Sequence, residues 1–189
     1  DIARDGGIGS TPGVFIRGSN TGHALFLVDG QRINSASLGI TSYQFIDPSQ
    51  IERIEIVRGA KSSIYGSDAV GGVIQIFTKK GDFKPSTIVS TEVGSNVLKR
   101  TAIATRGAYN QLRYSVDLSY LETDGIDAYR DDSQQNRDSD GYRNYSINTN
   151  FGYTFDNGVD VGLGFLEAHS RSYFDEQFNP ERDRFSDSI

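Results

Sequence analysis

Residues 51–81 read IERIEIVRGAKSSIYGSDAVGGVIQIFTKKG. Two runs of alternating apolar residues, Ile51–Val57 and Gly72–Phe77, have the period of two that a strand requires, and they flank a middle rich in small residues. The stretch holds five glycines and three serines, and no cysteine, metal motif or nucleophile with a base beside it. Glycine allows sharp turns and lets one backbone approach another closely. Gly66, Gly71 and Gly72 are therefore expected to serve packing, and chemistry is not required of them.

Upstream, VFIRG (Val14 to Gly18) and ALFLVDGQRI (Ala24 to Ile33) are also short, β-branched and punctuated by glycine. Together with the two runs above they predict a small mixed sheet. Asp47 followed by Pro48 is a capping residue with proline at the first helical position, so one helical turn should lead into the strand at Ile51. A second short helix is expected between Ala60 and Tyr65, ending at Gly66.

The texture changes between Gly81 and Pro85. Leu112, Tyr114, Val116, Leu118 and Tyr120 alternate with Arg113, Ser115, Asp117 and Ser119. The same pattern returns at Ile147, Thr149, Phe151, Tyr153 and Phe155. After the tight turn Asp156-Asn157-Gly158 it continues at Val159, Val161, Leu163 and Phe165. Thr87 to Ser95 and Lys99 to Ala108 fit a hairpin around Ser95-Asn96. The result is about five long antiparallel strands, each longer than the roughly five or six residues of an ordinary soluble strand and close to the span of a tilted membrane strand. One face is rich in tyrosine and phenylalanine and the other in Ser, Asn, Asp and Gly, as where one side meets lipid and the other a wet lumen. A soluble β-sandwich with one long loop is the alternative.

The 189 residues carry 36% hydrophobic and 23% charged side chains, with no cysteine and no methionine. Disulfides and thiolate metal sites are excluded. The net charge of −6 disfavours nucleic-acid phosphates as partners. No run of about 18 apolar residues exists that could form a membrane-spanning helix. Because the chain begins at Asp1-Ile2-Ala3 without a methionine or a signal peptide, it is expected to be an internal fragment of a longer precursor.

Enzymatic motifs fail in detail. Gly59-Ala60-Lys61-Ser62 resembles the end of a phosphate-binding loop, but alanine precedes the lysine and Glu55 stands where the first glycine belongs. Gly7-Ile8-Gly9 lacks the third glycine of a dinucleotide fingerprint and runs into Pro12. His23 and His169 sit in no metalloprotease or triad pattern. The region from Glu122 to Asp140 reads as one long acidic loop with Glu122, Asp124, Asp127, Asp131, Asp132, Asp138 and Asp140. Solvated repulsion is the plain reading. A calcium site built from loop carboxylates is the sharper one, since that ion takes six to eight oxygens. A true EF-hand is excluded because Ile147 replaces its last glutamate.

Three segments carry a resemblance: PGVFIRG (Pro12 to Gly18), LFLVDGQRI (Leu25 to Ile33) and residues 51–81. In order and spacing they resemble the plug domain of TonB-dependent outer-membrane receptors, and within that family the cobalamin transporters most. Ala60 departs from the family, which usually has proline there, and Thr11-Pro12-Gly13 departs from a more serine-rich loop. The resemblance implies a mainly β fold: the C-terminal part of a plug domain, residues 1–81, as a small mixed sheet with short helices, and the first strands of an antiparallel transmembrane β-barrel, residues 82–189. It implies active import across the bacterial outer membrane, without covalent chemistry, energised by TonB with ExbB/ExbD through a TonB box preceding Asp1.

Cobalamin or a related corrinoid is the implied substrate. Its contacts are expected on the loop Asp5 to Gly13, on Asn20 and on Ser35 to Tyr43, with Asp5, Thr11, Asn20, Ser37 and Leu38 at matching positions. Calcium is expected on Asp127, Asp138 and Asp140, ordering the outer loop. A ferric siderophore receptor of the same family, or a soluble calcium-binding β-adhesin, are the alternatives.

Overall fold

The two alternating runs of residues 51–81 are strands and pair with each other. The structure, a computed structural model, describes residues 2–3, 6–10, 12–16, 18, 21–33, 43–59, 62–66, 69–81, 84–126, 139–175 and 183–188. It divides into two compact units, one built from Asp1–Asp5, Ser10–Gln44 and Ile51–Lys79 and the other from Gly6–Gly9, Phe45–Gln50 and Lys80–Ile189.

In the first unit β1 (Ile2–Ala3) pairs antiparallel with β2 (Gly13–Val14). A mixed sheet follows, made of β3 (Ala24–Val28), β4 (Gln31–Arg32), β5 (Ile51–Arg58) and β6 (Gly72–Thr78) in the order β4-β3-β6-β5. β3 and β6 run parallel, from Ala24 opposite Gly72 to Val28 opposite Ile76. A central parallel strand is covered on both faces and so reads as a continuous apolar run, which is why ALFLV does not alternate. Ala24 and Phe26 pack with Val14, Ile16 and Ile74 on one face, and Leu25 and Leu27 with Ala69 and Val73 on the other. Phe26 stacks on Tyr43 with ring centroids 4.6 Å apart, so truncating it to alanine should cost about 3–5 kcal/mol.

VFIRG does not join this sheet. Its Val14 pairs with Ile2 in the separate two-stranded ribbon, while Val14 and Ile16 still turn their side chains into the core. The apolar alternation there reported burial correctly and strand pairing wrongly. The Asp29-Gly30 turn has positive φ at both residues, as a two-residue hairpin requires, and the Asp29 carboxylate accepts the Thr78 N–H at 3.1 Å. The expected short helix is α1 (Ser62–Tyr65), ending at Gly66. A Cβ on Gly72 would lie 2.6 Å from the Val57 carbonyl oxygen, so close approach of β5 and β6 demands glycine at that position.

The second unit is an antiparallel meander of β7 (Ser86–Val93), β8 (Lys99–Tyr109), β9 (Leu112–Thr123), β10 (Tyr142–Thr154), β11 (Asp160–Asp175) and β12 (Asp183–Ser188). β12 is a sixth strand beyond the expected five. It pairs with the far end of β11, Ser170–Asp175. Glu122 also departs from expectation: it belongs to β9 and pairs with Arg143 of β10 at 3.0 Å, so the loop proper begins at Asp124. Short turns join the strands at one end through Asn110 and Gly158, both with positive φ. The other end carries the turn at residues 94–98 and the connection from β9 to β10.

The faces of this sheet invert the usual order. Ser115, Asp117 and Ser119 of β9 and Asn144, Ser146 and Asn148 of β10 are buried. Leu118, Tyr120, Tyr145, Ile147, Phe151 and Tyr153 are exposed. Water would favour the opposite arrangement; lipid favours this one. Along the apolar face the register gives successive rows. They run from Tyr109, Leu112, Tyr153 and Val161 at the turn end to Thr101, Tyr120, Tyr145 and His169 toward the other end. These rows lie eight residues apart on β10, about 27 Å along a strand and roughly 20 Å of height at a tilt near 40°. Tyrosines mark both borders, as aromatic girdles flank the apolar band of a membrane barrel.

Candidate functional site

The polar face holds a segment of chain. Phe45–Gln50, which precedes β5, belongs to the second unit and lies on the buried side of β8 to β10. Its turn Pro48–Gln50 is a 3-10 helix capped by Asp47, whose carboxylate accepts the Ser49 N–H at 2.7 Å. The same carboxylate is gripped in a fork by Arg100 of β8, through Nε at 3.1 Å and through Nη2. Arg100 also donates to Glu92 at 3.3 Å. Three residues on, Gln50 is fully buried and donates through Nε2 to the Ser146 hydroxyl at 2.9 Å, and Ser146 shares a 2.8 Å hydrogen bond with Ser119. Of the small polar residues left on this face by the alternation, Ser146 is thus an attachment point for the segment, with Ser119 bonded beside it.

Burial alone would raise the Asp47 carboxyl. The hydrogen bonds from Arg100 and from both the side chain and the N–H of Ser49 outweigh that and hold it below its ordinary value of 3.8. A two-pronged arginine contact of this kind fixes orientation as well as charge. Deeper in the sheet Arg106 donates to Asp117, and Ser115 donates to the same carboxylate at 2.9 Å.

A second cluster forms at the loop end. Gly6–Gly9 also belongs to the strand unit. Gly9, at φ 101, lies against the Tyr142 ring, and its carbonyl accepts the Ser172 hydroxyl at 3.4 Å. A Cβ on Gly7 would come 3.6 Å from Ile126 and 3.9 Å from the Asp140 carbonyl oxygen. The base of the acidic loop is closed by the Asp140 N–H donating to the Ile126 carbonyl at 3.1 Å. Gly125, at φ 77, faces Asp140 so closely that a Cβ there would be 1.8 Å from the Asp140 oxygen. Thus part of the loop expected to touch substrate, and the base of the loop expected to hold calcium, meet in one place.

Of the expected site residues, Asp5, Thr11, Asn20, Ser37 and Leu38 lie outside the described residues, as do Asp127 and Asp138. Asp140 is described and half-buried. Among the described residues no group of three or more carboxylates or histidines could hold a metal ion. His169 faces the apolar side, stacked on Tyr145 at 4.9 Å and paired with Glu167 at 2.7 Å. Sequence reading missed Gln50, Arg100, Ser119, Ser146, Tyr142 and Ser172, and it took Asp47 for a helix cap alone. The available signal was the run of small polar residues opposite the aromatic face, which needed a partner.

Comparison with known proteins agrees with this geometry. Residues 2–73 match the TonB-dependent receptor plug domain. The fold is shared with the siderophore receptor PirA from Acinetobacter baumannii at 23% identity and TM-score 0.70, over 95% of this chain and 28% of that one. The ferric yersiniabactin uptake receptor FyuA from Yersinia pestis matches at 19% identity and TM-score 0.68, over 92% and 27%. The copper transporter OprC matches at 16% and 0.72, over 91% and 26%. The chain thus spans about a quarter of the length of these receptors. It has the fold of a plug domain followed by the first strands of a transmembrane barrel.

Proposed function

We propose that this chain is the C-terminal part of a plug, residues 1–81, and the barrel start, residues 82–189, of a bacterial outer-membrane receptor that imports a large, scarce nutrient. The observation that carries this is the inverted sheet, apolar outside and polar inside, in a chain whose residues 2–73 match a plug domain. TonB with ExbB/ExbD energises the transport, and the chain performs no covalent chemistry. Substrate binds from outside on the plug loops carrying Asp5, Thr11, Asn20, Ser37 and Leu38. Calcium on Asp127, Asp138 and Asp140 orders the loop above them. Asp47 and Gln50 hold the segment between two plug elements on the polar face of the strands.

The substrate reading is cobalamin or a related corrinoid, on the motif resemblance and the three aspartates. A ferric siderophore is the second reading, favoured by the names of PirA and FyuA. Binding of labelled cobalamin to the complete receptor, challenged with ferric siderophores, separates them. Displacement only by corrinoids supports the first, and saturable siderophore binding with no cobalamin binding establishes the second. Uptake that persists in cells lacking TonB would overturn active transport altogether.

A further inference from the structure

The outward rows of the strand sheet run from Tyr109, Leu112, Tyr153 and Val161 at one border to Thr101, Tyr120, Tyr145 and His169 at the other. Among the described residues they hold one acid and one base, Glu167 and His169 of β11. Glu167 shares its row with Ile103, Leu118 and Ile147, one register step inside the border that contains His169. Its Oε1 lies 2.7 Å from the imidazole Nε2, yet the Glu167 side chain stays 40% exposed. Stacking on Tyr145 fixes the plane of the imidazole ring. A carboxylate inside an apolar band is costly, and such groups commonly mark a site with a further polar partner.

Glutamate and histidine with converging O and N atoms are two zinc ligands on one edge of a site. Ligands of one tetrahedral zinc lie about 3.4 Å apart, so the 2.7 Å contact needs to open only slightly. Two further ligands are required, and among the described residues no group of three or more candidates exists. A second copy supplies them by symmetry. Two receptors inserted in the same sense are related by a twofold axis along the membrane normal, which keeps every residue at its own depth. Strands tilted near 40° then cross at roughly 80° across that axis. Opposite edges of a tetrahedron cross at a right angle, so the two Glu-x-His edges meet in nearly the orientation that the ion prefers. Facing sheets about 10 Å apart leave the space that two such side chains span when they meet at one ion. Two carboxylates cancel the charge of the ion, and a neutral centre is tolerable at this depth.

We propose that Glu167 and His169 form half of a zinc site, completed by the same two residues of a second copy, so that zinc joins two receptors side by side in the membrane. His169 coordinates through Nε2 and keeps its proton on Nδ1. The proposal rests on the reading of the sheet as membrane-spanning.

The test places the complete receptor in phosphatidylcholine vesicles and follows energy transfer between donor- and acceptor-labelled copies as lipid dilutes them. Zinc chloride should tighten association roughly tenfold or more, with one ion bound per two receptors. Chelator should reverse it, and calcium, which takes six to eight oxygens, should not replace zinc. Glu167→Gln and His169→Gln should each abolish the response. The exchange Glu167→His with His169→Glu keeps two nitrogens and two oxygens about the axis and should retain most of it. Glu122→Gln, one row outside the border, should retain all of it. Absence of a zinc response in wild type overturns the proposal, as does an undiminished response in either glutamine variant. Loss in the exchanged pair with an unaltered urea midpoint overturns it too. A receptor that inserts but ignores zinc defeats the shared site alone, whereas one that does not enter the bilayer defeats the membrane reading beneath it.

Discussion

Arginine placed at successive depths on the outward face of β11 gives the sharpest test of the barrel assignment. Val161, Leu163 and Phe165 are all exposed and lie on the same face of one strand. Phe165 sits opposite Thr149, in the middle row of the band between the two tyrosine borders, while Val161 sits in the border row with Tyr153. Four residues separate them, about 14 Å along the strand. A charge at the midplane of a membrane barrel costs about 2–4 kcal/mol, falling to about 0–1 at the interfaces. Phe165→Arg should therefore lower the folded-to-unfolded ratio roughly 30- to 700-fold, Leu163→Arg less, and Val161→Arg fivefold at most. The measurement is a urea titration of the complete receptor refolded into phosphatidylcholine vesicles, read by linear extrapolation. Equal costs at the three sites, or the largest at Val161, would refute a lipid-facing sheet. The opposite face offers no neutral control, since Ser119 is 7% exposed and its hydroxyl is bonded to Ser146.

Three further outcomes follow from the two clusters. Asp47→Asn should destabilise the receptor by an amount near the lower end of the about 3–5 kcal/mol expected for half of a buried ion pair, because Arg100 keeps Glu92. Since the Asp47 carboxyl is held below 3.8, its contribution is complete above that pH and is lost as pH falls through the lowered folded value. Wild type and variant should thus converge in acid, and a gap in urea midpoint that stays constant down to strongly acidic pH would contradict this. Gly9→Ala puts a Cβ 2.3 Å from the Tyr142 ring at a φ of 101. It should weaken substrate binding about tenfold through a displaced loop, with the melting temperature unchanged; unaltered affinity by titration would remove this loop from the binding surface. Chelation should weaken substrate binding in wild type and not in Asp138→Asn with Asp140→Asn, and by linkage substrate should tighten calcium binding by the same factor. Wild-type affinity indifferent to chelator would leave the acidic loop a solvated one.

The sequence made the strands legible because each is decided locally. Alternation from Leu112 to Tyr120, the Asp156-Asn157-Gly158 turn and the Asp47-Pro48 cap act over a few residues, and all three appear in the structure. Val14 to Gly18 misled for the same reason. Its alternation correctly buries Val14 and Ile16, but which backbone it pairs with depends on Ile2 and Ala3, a partner no periodicity names. β12 has no sustained alternation to announce it, and its pairing with Ser170–Asp175 is possible only because β11 runs 16 residues, well past the point where its apolar alternation stops.

The site was less legible because its contacts join residues far apart in the chain. Asp47 and Arg100 are 53 residues apart, and Gln50 and Ser146 are 96. Nothing near Ser146 in sequence distinguishes a wall that hydrogen-bonds to another segment from one that faces open water. The distinction comes from burial: Ser146 at 2% and Asn148 at 2% exposure on a face that alternation assigns to the lumen require a polar surface laid against them. A lipid-facing sheet makes that requirement stricter, because its polar side chains cannot turn outward without entering the apolar band. The strand pattern that identifies the membrane face thus also demands a polar partner inside. Asp47 and Gln50 meet part of that demand with side chains whose spacing along the 3-10 turn sets them on Arg100 and Ser146 together.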